Sequence, residues 1–141
     1  MERKGSAVWK GGLKDGKGTV STASGVLSNT PYSFAQRFEN TPGTNPEELI
    51  GAAHAACFSM ALSGQLAAAQ LTADSIETTS TITLEKLESG FTITSAHLDV
   101  QARVPKADQA AFMKAAEAAE KGCPISKVLN AKISMTATLL Q

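Results

Sequence analysis

The sequence predicts an α+β fold in which mostly antiparallel sheets wrap around a long, buried central helix. Two alternating runs typical of strands follow an uncharged stretch of helical length, and shorter strand-like segments precede that stretch. The chain has 141 residues, a size that makes one domain over residues 1–141 the expected organisation, with a single core.

Short strands and turns are predicted for the first third of the chain. Ala7–Lys10 and Thr19–Thr22 are strand-like, and the glycine-rich sequence between them is typical of turns. After Pro31, aromatic residues alternate with other side chains as far as Phe38, which predicts a further strand. In that strand Arg37 would point away from the aromatic face.

A long helix is predicted next, because Asn45 can cap it, Pro46 suits its first position and Glu48 completes a capping box. It should run to about Gln70. Residues 49–73 carry no charge over a length that could span a bilayer, but small and polar side chains dominate them, which favours a buried helix of a soluble protein. A helix of about 25 residues is about 37 Å long. One small subunit would not cover it, so we expect a symmetric homodimer.

The remaining chain alternates between strand and helix patterns. The runs Ile76–Leu84 and Thr92–Val104 predict a hairpin. An amphipathic helix is predicted over Asp108–Lys121, a short helix from Pro124 to Leu129, and a last strand over Ile133–Leu139.

The net charge of the chain restricts its binding partners, and its first residues restrict its cellular location. Thirteen basic and thirteen acidic side chains cancel, and without a dense basic run we expect neither nucleic acid nor a membrane as a partner. The first residues do not lead into the apolar segment of a signal peptide, so a cytoplasmic location is expected. In that reducing compartment a cysteine pair is more often catalytic, redox-sensing or metal-binding than structural. Two unpaired structural thiols are the alternative.

The two cysteines differ in what could ionise them. Cys123 precedes Pro124 at the start of the short helix, where free backbone N–H groups stabilise a thiolate. Cys57 lies in the middle of the long helix among alanines, and would be an inert thiol unless a cation from another element reached it. Local reasoning therefore favours Cys123 as the more acidic thiol.

Arg37 is the candidate for that cation, and Glu47 is free to hold its guanidinium by a bidentate pair. A solvated strand arginine is the simpler interpretation. Glu47 and Cys57 are ten residues apart, about 15 Å along a helix, so either Arg37 spans much of the gap or a second subunit contributes Glu47. His54, one turn before Cys57, could act as a base, but a neutral, hydrogen-bonded histidine is favoured. The spacing of the histidines and cysteines matches no zinc pattern.

Three segments carry a family resemblance. Gly43–Leu62, which contains Cys57, and Gly122–Leu129, which contains Cys123, resemble the signatures of the OsmC proteins. These are the osmotically inducible branch of the OsmC/Ohr family of thiol-dependent peroxidases. Gly16–Thr22 is similar to the amino-terminal strands of the same family.

The resemblance implies an intertwined homodimer that reduces organic hydroperoxides, and hydrogen peroxide less well, in defence against oxidative and osmotic stress. It makes Cys57 the peroxidatic thiol, which becomes a sulfenic acid, and Cys123 the resolving thiol, which then forms a disulfide with it. Arg37 and Glu47 would be the activating pair. The implied reductant is a dithiol of lipoyl type, and no metal, haem or other cofactor is implied. A binding module with inert thiols and another dithiol enzyme, such as a disulfide reductase, are the alternatives.

Overall fold

The computed structural model describes all residues, 1–141, and they form two compact units, 1–49 and 50–141. The long helix α2 (Pro46–Ala68) begins in the first unit and continues in the second. As the sequence predicts, Asn45 caps this helix: its side-chain Oδ1 accepts a hydrogen bond of 2.8 Å from the backbone N–H of Glu48.

The first unit contains a three-stranded antiparallel sheet in the order β1 (Gly5–Lys10), β2 (Lys17–Thr22) and β3 (Thr30–Tyr32). Gly18 of β2 pairs with Trp9 on one side and with Tyr32 on the other. The two aromatic rings lie 5.4 Å apart between centroids. A Cβ atom at residue 18 would lie 2.5 Å from the ring of Tyr32 and 2.7 Å from that of Trp9, so only glycine lets the rings pack together here.

The strand predicted after Pro31 is wrong beyond Tyr32, because residues Phe34–Phe38 form a short helix, α1. Ser33 caps it, its hydroxyl accepting a hydrogen bond from the N–H of Gln36. The rings of Phe34 and Phe38, four residues apart, lie 4.8 Å from each other, which is the neighbour relation of a helix. The cap and this ring pair outweigh the two-residue alternation, and they place Arg37 on a helix.

The second unit contains a sheet in the order β4, β5, β6. β4 (Ser75–Leu87) and β5 (Gly90–Arg103) form the predicted hairpin, whereas β6 (Lys132–Leu140) runs parallel to β5. The sheets are therefore mostly antiparallel, as predicted, and this pair is the exception. Parallel neighbours need a crossover connection, and α3 (Gln109–Gly122) with α4 (Pro124–Val128) provides it.

One face of α2 packs into the core of the second unit. The buried residues of the helix recur every three or four positions: Gly51, His54, Phe58, Leu62 and Leu66. The larger apolar ones join a cluster with inward side chains of β5 and α3: Leu98, Val100, Ala102, Phe112, Ala115, Ala116 and Ala119.

As the sequence predicts, the single chain does not cover α2 on all sides. Met60, in the middle of the helix, is 80% exposed, and the exposed residues one turn away from it are Ala56, Ser63 and Gly64. Such small side chains look the same in the sequence whether they are covered or not. By length and composition α2 could also cross a membrane, a test that core helices of soluble proteins pass as well.

Candidate active site

The structure brings the two cysteines into contact. Cys57 lies on α2 next to Phe58, and Cys123 lies between α3 and α4. Both are free thiols, and their side chains are hydrogen-bonded to each other. Cys123 is fully buried, whereas Cys57 is only partly buried. A small solute therefore reaches the sulfur of Cys57 first.

Cys123 is held by two helices at once. Its backbone N–H donates to the carbonyl of Ala119 in α3 (2.9 Å), and its carbonyl accepts from the N–H of Lys127 in α4 (3.1 Å). Its thiol makes no regular helix cap. The N–H groups of Ile125 and Ser126, which have no partner within the first turn of α4, nevertheless lie close enough to its sulfur to stabilise a thiolate.

The pKa values of the two thiols are shifted in opposite directions. Burial raises the pKa of Cys57, and the hydrogen bond with Cys123 acts in the same direction, outweighing the N–H of Ile125. Burial also acts to raise the pKa of Cys123, but the hydrogen bonds from Cys57, from the N–H and hydroxyl of Ser126 and from the N–H of Ile125 lower it overall. Within this chain Cys123 is therefore the more acidic thiol of the pair, as local reasoning from the sequence predicts.

Arg37 and Glu47 form the predicted ion pair in the first unit. The Nε and Nη2 atoms of Arg37 lie 3.1 Å and 2.9 Å from the same oxygen, Oε1 of Glu47, so the pair is not the expected two-oxygen fork. The guanidinium also lies over the ring of Phe38, 5.2 Å from its centroid. These two contacts hold the charge of Arg37 in place although its side chain is 39% exposed.

An aromatic cavity of about 290 Å³ opens beside this arginine. Its lining is almost entirely apolar: Trp9, Leu13, Tyr32, Ser33, Phe34, Arg37 and Phe38. A cavity of this chemistry suits the organic part of a small molecule, and the guanidinium offers a donor at its wall.

His54 belongs to a hydrogen-bond network in the second unit. It is fully buried; its Nδ1 lies 2.9 Å from the hydroxyl of Ser80 on β4, and its Nε2 lies 2.8 Å from the hydroxyl of Ser126 on α4. Burial lowers the pKa of His54, so the expected neutral, hydrogen-bonded histidine is confirmed. Sequence reasoning missed both serines. The signal for one of them was its place three residues after Cys123.

No group of three or more histidine, cysteine, aspartate or glutamate side chains that could hold a metal ion lies together in this structure. The fold and the paired thiols, one accessible and one buried beneath a helix start, define a dithiol protein of the α+β class. Residues 38–138 match the family model described as "OsmC-like protein". The chain belongs to this family. Arg37 lies one residue outside the matched segment, whereas Glu47, Cys57 and Cys123 lie inside it.

Curated relatives agree with this assignment. The chain is 53% identical over 135 residues to a protein of Escherichia coli K12 named "Peroxiredoxin OsmC", covering 96% of this chain and 94% of the relative. It is 31% identical over 98 residues to a protein of Xanthomonas axonopodis pv. citri named "Organic hydroperoxide resistance protein", covering 69% and 67% of the two chains.

Solved structures show the same fold. OhrB of Bacillus subtilis, an organic hydroperoxide resistance protein, superposes with a TM-score of 0.70 at 25% identity, over 96% of this chain and 98% of that one. An OsmC-like protein of Mycoplasma pneumoniae superposes with a TM-score of 0.77 at 16% identity, over 100% and 99% of the two chains, a likeness of fold alone.

Proposed function

We propose that this protein is a thiol-dependent peroxidase that reduces organic hydroperoxides, and hydrogen peroxide less well, through Cys57 and Cys123. The contact between a partly exposed thiol and a fully buried one carries the proposal. The names of the two curated relatives support it: one is a peroxiredoxin and the other confers resistance to organic hydroperoxides.

Cys57 makes the first attack, because the sulfur of Cys123 is fully buried. The thiolate of Cys57 attacks the terminal oxygen of the hydroperoxide, the O–O bond breaks, the alcohol leaves with a proton, and a sulfenic acid remains on Cys57. Since its surroundings in the chain raise the pKa of Cys57, the attacking thiolate needs a cation. Arg37, held by Glu47, is our candidate for it in the assembled enzyme.

Cys123 carries out the second step. Its sulfur attacks the sulfur of the Cys57 sulfenic acid, and a disulfide and one water form. A dithiol of lipoyl type in the cytoplasm then reduces the disulfide by exchange. A dithiol suits this step because, once its first sulfur has formed a mixed disulfide, its second sulfur lies nearby to release the enzyme thiol.

The working unit is a homodimer. The exposed face of α2 has small residues around Met60, which is 80% exposed, and covering it with a second copy would remove apolar area from water. We expect a dimeric mass by light scattering at micromolar concentration, and a shift toward monomer in Met60→Glu. A monomeric wild-type protein would contradict this.

Peroxide consumption with a dithiol donor tests the activity. Cys57→Ser should abolish turnover, whereas Cys123→Ser should consume about one peroxide per site and stop at a sulfenic acid. Retained turnover in Cys57→Ser would show that Cys57 is not the thiol that attacks the peroxide. If both thiols instead react only slowly with an alkylating reagent at neutral pH, the protein is a module with inert thiols.

The role of Arg37 is tested separately. Arg37→Ala should slow the first step, measured as peroxide loss in a single turnover, because the thiolate of Cys57 loses its cation. Arg103→Ala is the matched control, since that arginine interacts with the carbonyl of Gln141 at the chain terminus. If Arg37→Ala and Arg103→Ala lose peroxide at the same rate, Arg37 does not supply the cation for the Cys57 thiolate.

A further inference from the structure

A line of hydrogen-bonding groups runs from β4 to the buried thiol. It begins at the hydroxyl of Ser80, passes through Nδ1 and Nε2 of His54, continues through the hydroxyl of Ser126 and ends at the sulfur of Cys123. Every member belongs to the second unit. The ring of His54 is fully buried, and no buried polar side-chain atom of the protein lacks a partner.

This line has two complete arrangements of its protons. When Cys123 is a thiolate, the hydroxyl of Ser126 donates to the sulfur, Nε2 of His54 donates to Ser126, and the hydroxyl of Ser80 donates to Nδ1. In the second arrangement the hydroxyl of Ser126 donates to Nε2 and Nδ1 donates to Ser80. A hydroxyl can donate and accept at once, and a neutral imidazole has one nitrogen of each kind, so a proton can enter at either end.

We propose that His54, acting through Ser126, receives the proton that Cys123 loses when it attacks the sulfenic acid of Cys57. The inference rests on the proposed function and adds a positioning residue to its second step. The proton of Cys123 passes to the oxygen of Ser126 while the hydroxyl proton of Ser126 passes to Nε2 of His54. Electrons of the Cys123 sulfur form the S–S bond, and the S–O bond of the sulfenic acid breaks toward oxygen. The departing hydroxide takes up a proton from solvent and leaves as water, and the imidazolium of His54 then returns one proton to solvent, so that one water is the net product.

No charged side chain faces the ring of His54 from the elements packed against it, so none competes for the acceptor nitrogen. On its own helix the nearest titratable group is Cys57, one turn further along. On β4 the residues that share the face of Ser80 are Thr78 and Ile82, which carry no charge. Cys123 itself lies just before α4, and on α4 the titratable group is Lys127, which is exposed. Burial lowers the pKa of His54, so the ring is neutral near pH 7, one of its nitrogens is free to accept, and its protonated form is short-lived.

A single-turnover experiment separates the two chemical steps. Reduced full-length protein is mixed with one equivalent of cumene hydroperoxide and stopped at intervals with a thiol-alkylating reagent. Dimedone labelling then measures the sulfenic acid, and the mass of the protein measures the disulfide. In His54→Gln the disulfide should form about 100-fold more slowly or slower still, while peroxide is lost at nearly the wild-type rate, so that sulfenic acid accumulates.

Glutamine separates a proton acceptor from a structural bridge, because its amide can donate to one serine and accept from the other but takes up no proton. His97→Gln is the matched control: this histidine also lies between two hydroxyls, of Ser134 at 2.7 Å and Thr136 at 3.3 Å, but its side chain is 38% exposed. A wild-type rate of disulfide formation in His54→Gln would reduce His54 to a structural bridge and overturn the proposal.

The pH profile gives a second readout that a structural role would not change. In the wild type, the rate of disulfide formation should stay nearly level down to the pKa of His54, below its ordinary value of 6.5, and fall beneath it. In His54→Gln it should fall by about tenfold per pH unit below the pKa of Cys123, since only the ionised thiol then reacts. Matching profiles would also overturn the proposal.

Two variants of Ser126 test the same relay if His54→Gln fails to fold. Ser126→Ala breaks the line next to the sulfur and should slow disulfide formation, whereas Ser126→Thr keeps a hydroxyl and should restore most of the rate. Equal rates in the two variants would contradict the relay. Failure of peroxide to oxidise Cys57 at all, in any of these proteins, would instead refute the proposed function.

Discussion

Gly51 is a buried residue of α2 that lies against β4, and we predict that replacing it by alanine destabilises the protein. A Cβ atom at this position would stand 2.9 Å from the backbone carbonyl oxygen of Ser80. That oxygen belongs to a strand paired with β5, so no side-chain rotation can remove the overlap. The helix or the strand has to move.

Two opposing effects decide the magnitude. Overpacking a core costs about 1–3 kcal/mol, and the rigid obstruction at Ser80 favours the upper half of that range. Alanine is a better helix former than glycine by about 1 kcal/mol. The net loss for Gly51→Ala is therefore about 1–2 kcal/mol, which in a domain of this size lowers the melting temperature by roughly 3–8 °C.

Gly122→Ala is the matched control, because a Cβ atom there has nothing within 4 Å. We expect this variant to be as stable as the wild type or more stable, by up to about 1 kcal/mol. The assay is urea unfolding of the reduced proteins at one fixed concentration, followed by circular dichroism. A Gly51→Ala protein at least as stable as the wild type would refute the close approach of α2 to β4.

Three further predictions concern the core, the buried histidine and the ion pair. Phe58→Ala removes a fully buried side chain and should lower the free energy of unfolding by about 3–5 kcal/mol; a loss below about 1 kcal/mol in the same assay would contradict the burial of Phe58 in the core. The pKa of His54 is lower in the folded protein than its ordinary value of 6.5, so its contribution to stability is complete above 6.5 and declines as pH falls through the folded pKa. Urea midpoints from about pH 7.5 to about pH 5 should show this decline in His97→Gln and less of it in His54→Gln; equal declines would mean that His54 does not titrate as inferred. Glu47→Gln should change stability by less than about 1 kcal/mol, since the arginine of this pair is 39% exposed. It should nevertheless slow peroxide loss at Cys57. An unchanged rate would mean that the Arg37–Glu47 pair does not activate Cys57.

Local signals in the sequence predicted most of the elements. The cap at Asn45 and the alternation of apolar residues in the hairpin depend only on neighbours along the chain, so the start of α2 and the pairing of β4 with β5 are confirmed. The helix at Phe34–Phe38 was missed because its aromatic spacing fits both a strand and a helix. Only the capping hydroxyl of Ser33 distinguishes the two, and a single serine is a weak signal.

The direction of β6, and which face of α2 stays exposed, lay beyond such signals. A strand has the same alternation whether its neighbour is parallel or antiparallel, so its own residues did not show that β6 runs parallel to β5. Likewise, alanine, glycine and serine occur on covered and on open helix faces, and the 80% exposure of Met60 is a property of the packed chain.

The chemical character of this protein can be read from its residues alone: two cysteines in distinctive segments, one of them ahead of a proline-started helix, and an arginine and a glutamate able to pair. Packing brings Cys57 to Cys123, buries the second of these thiols but not the first, and places His54 between Ser80 and Ser126. Contacts between residues 26 to 72 positions apart depend on how helices and strands pack, because local residue patterns carry no information about those distances.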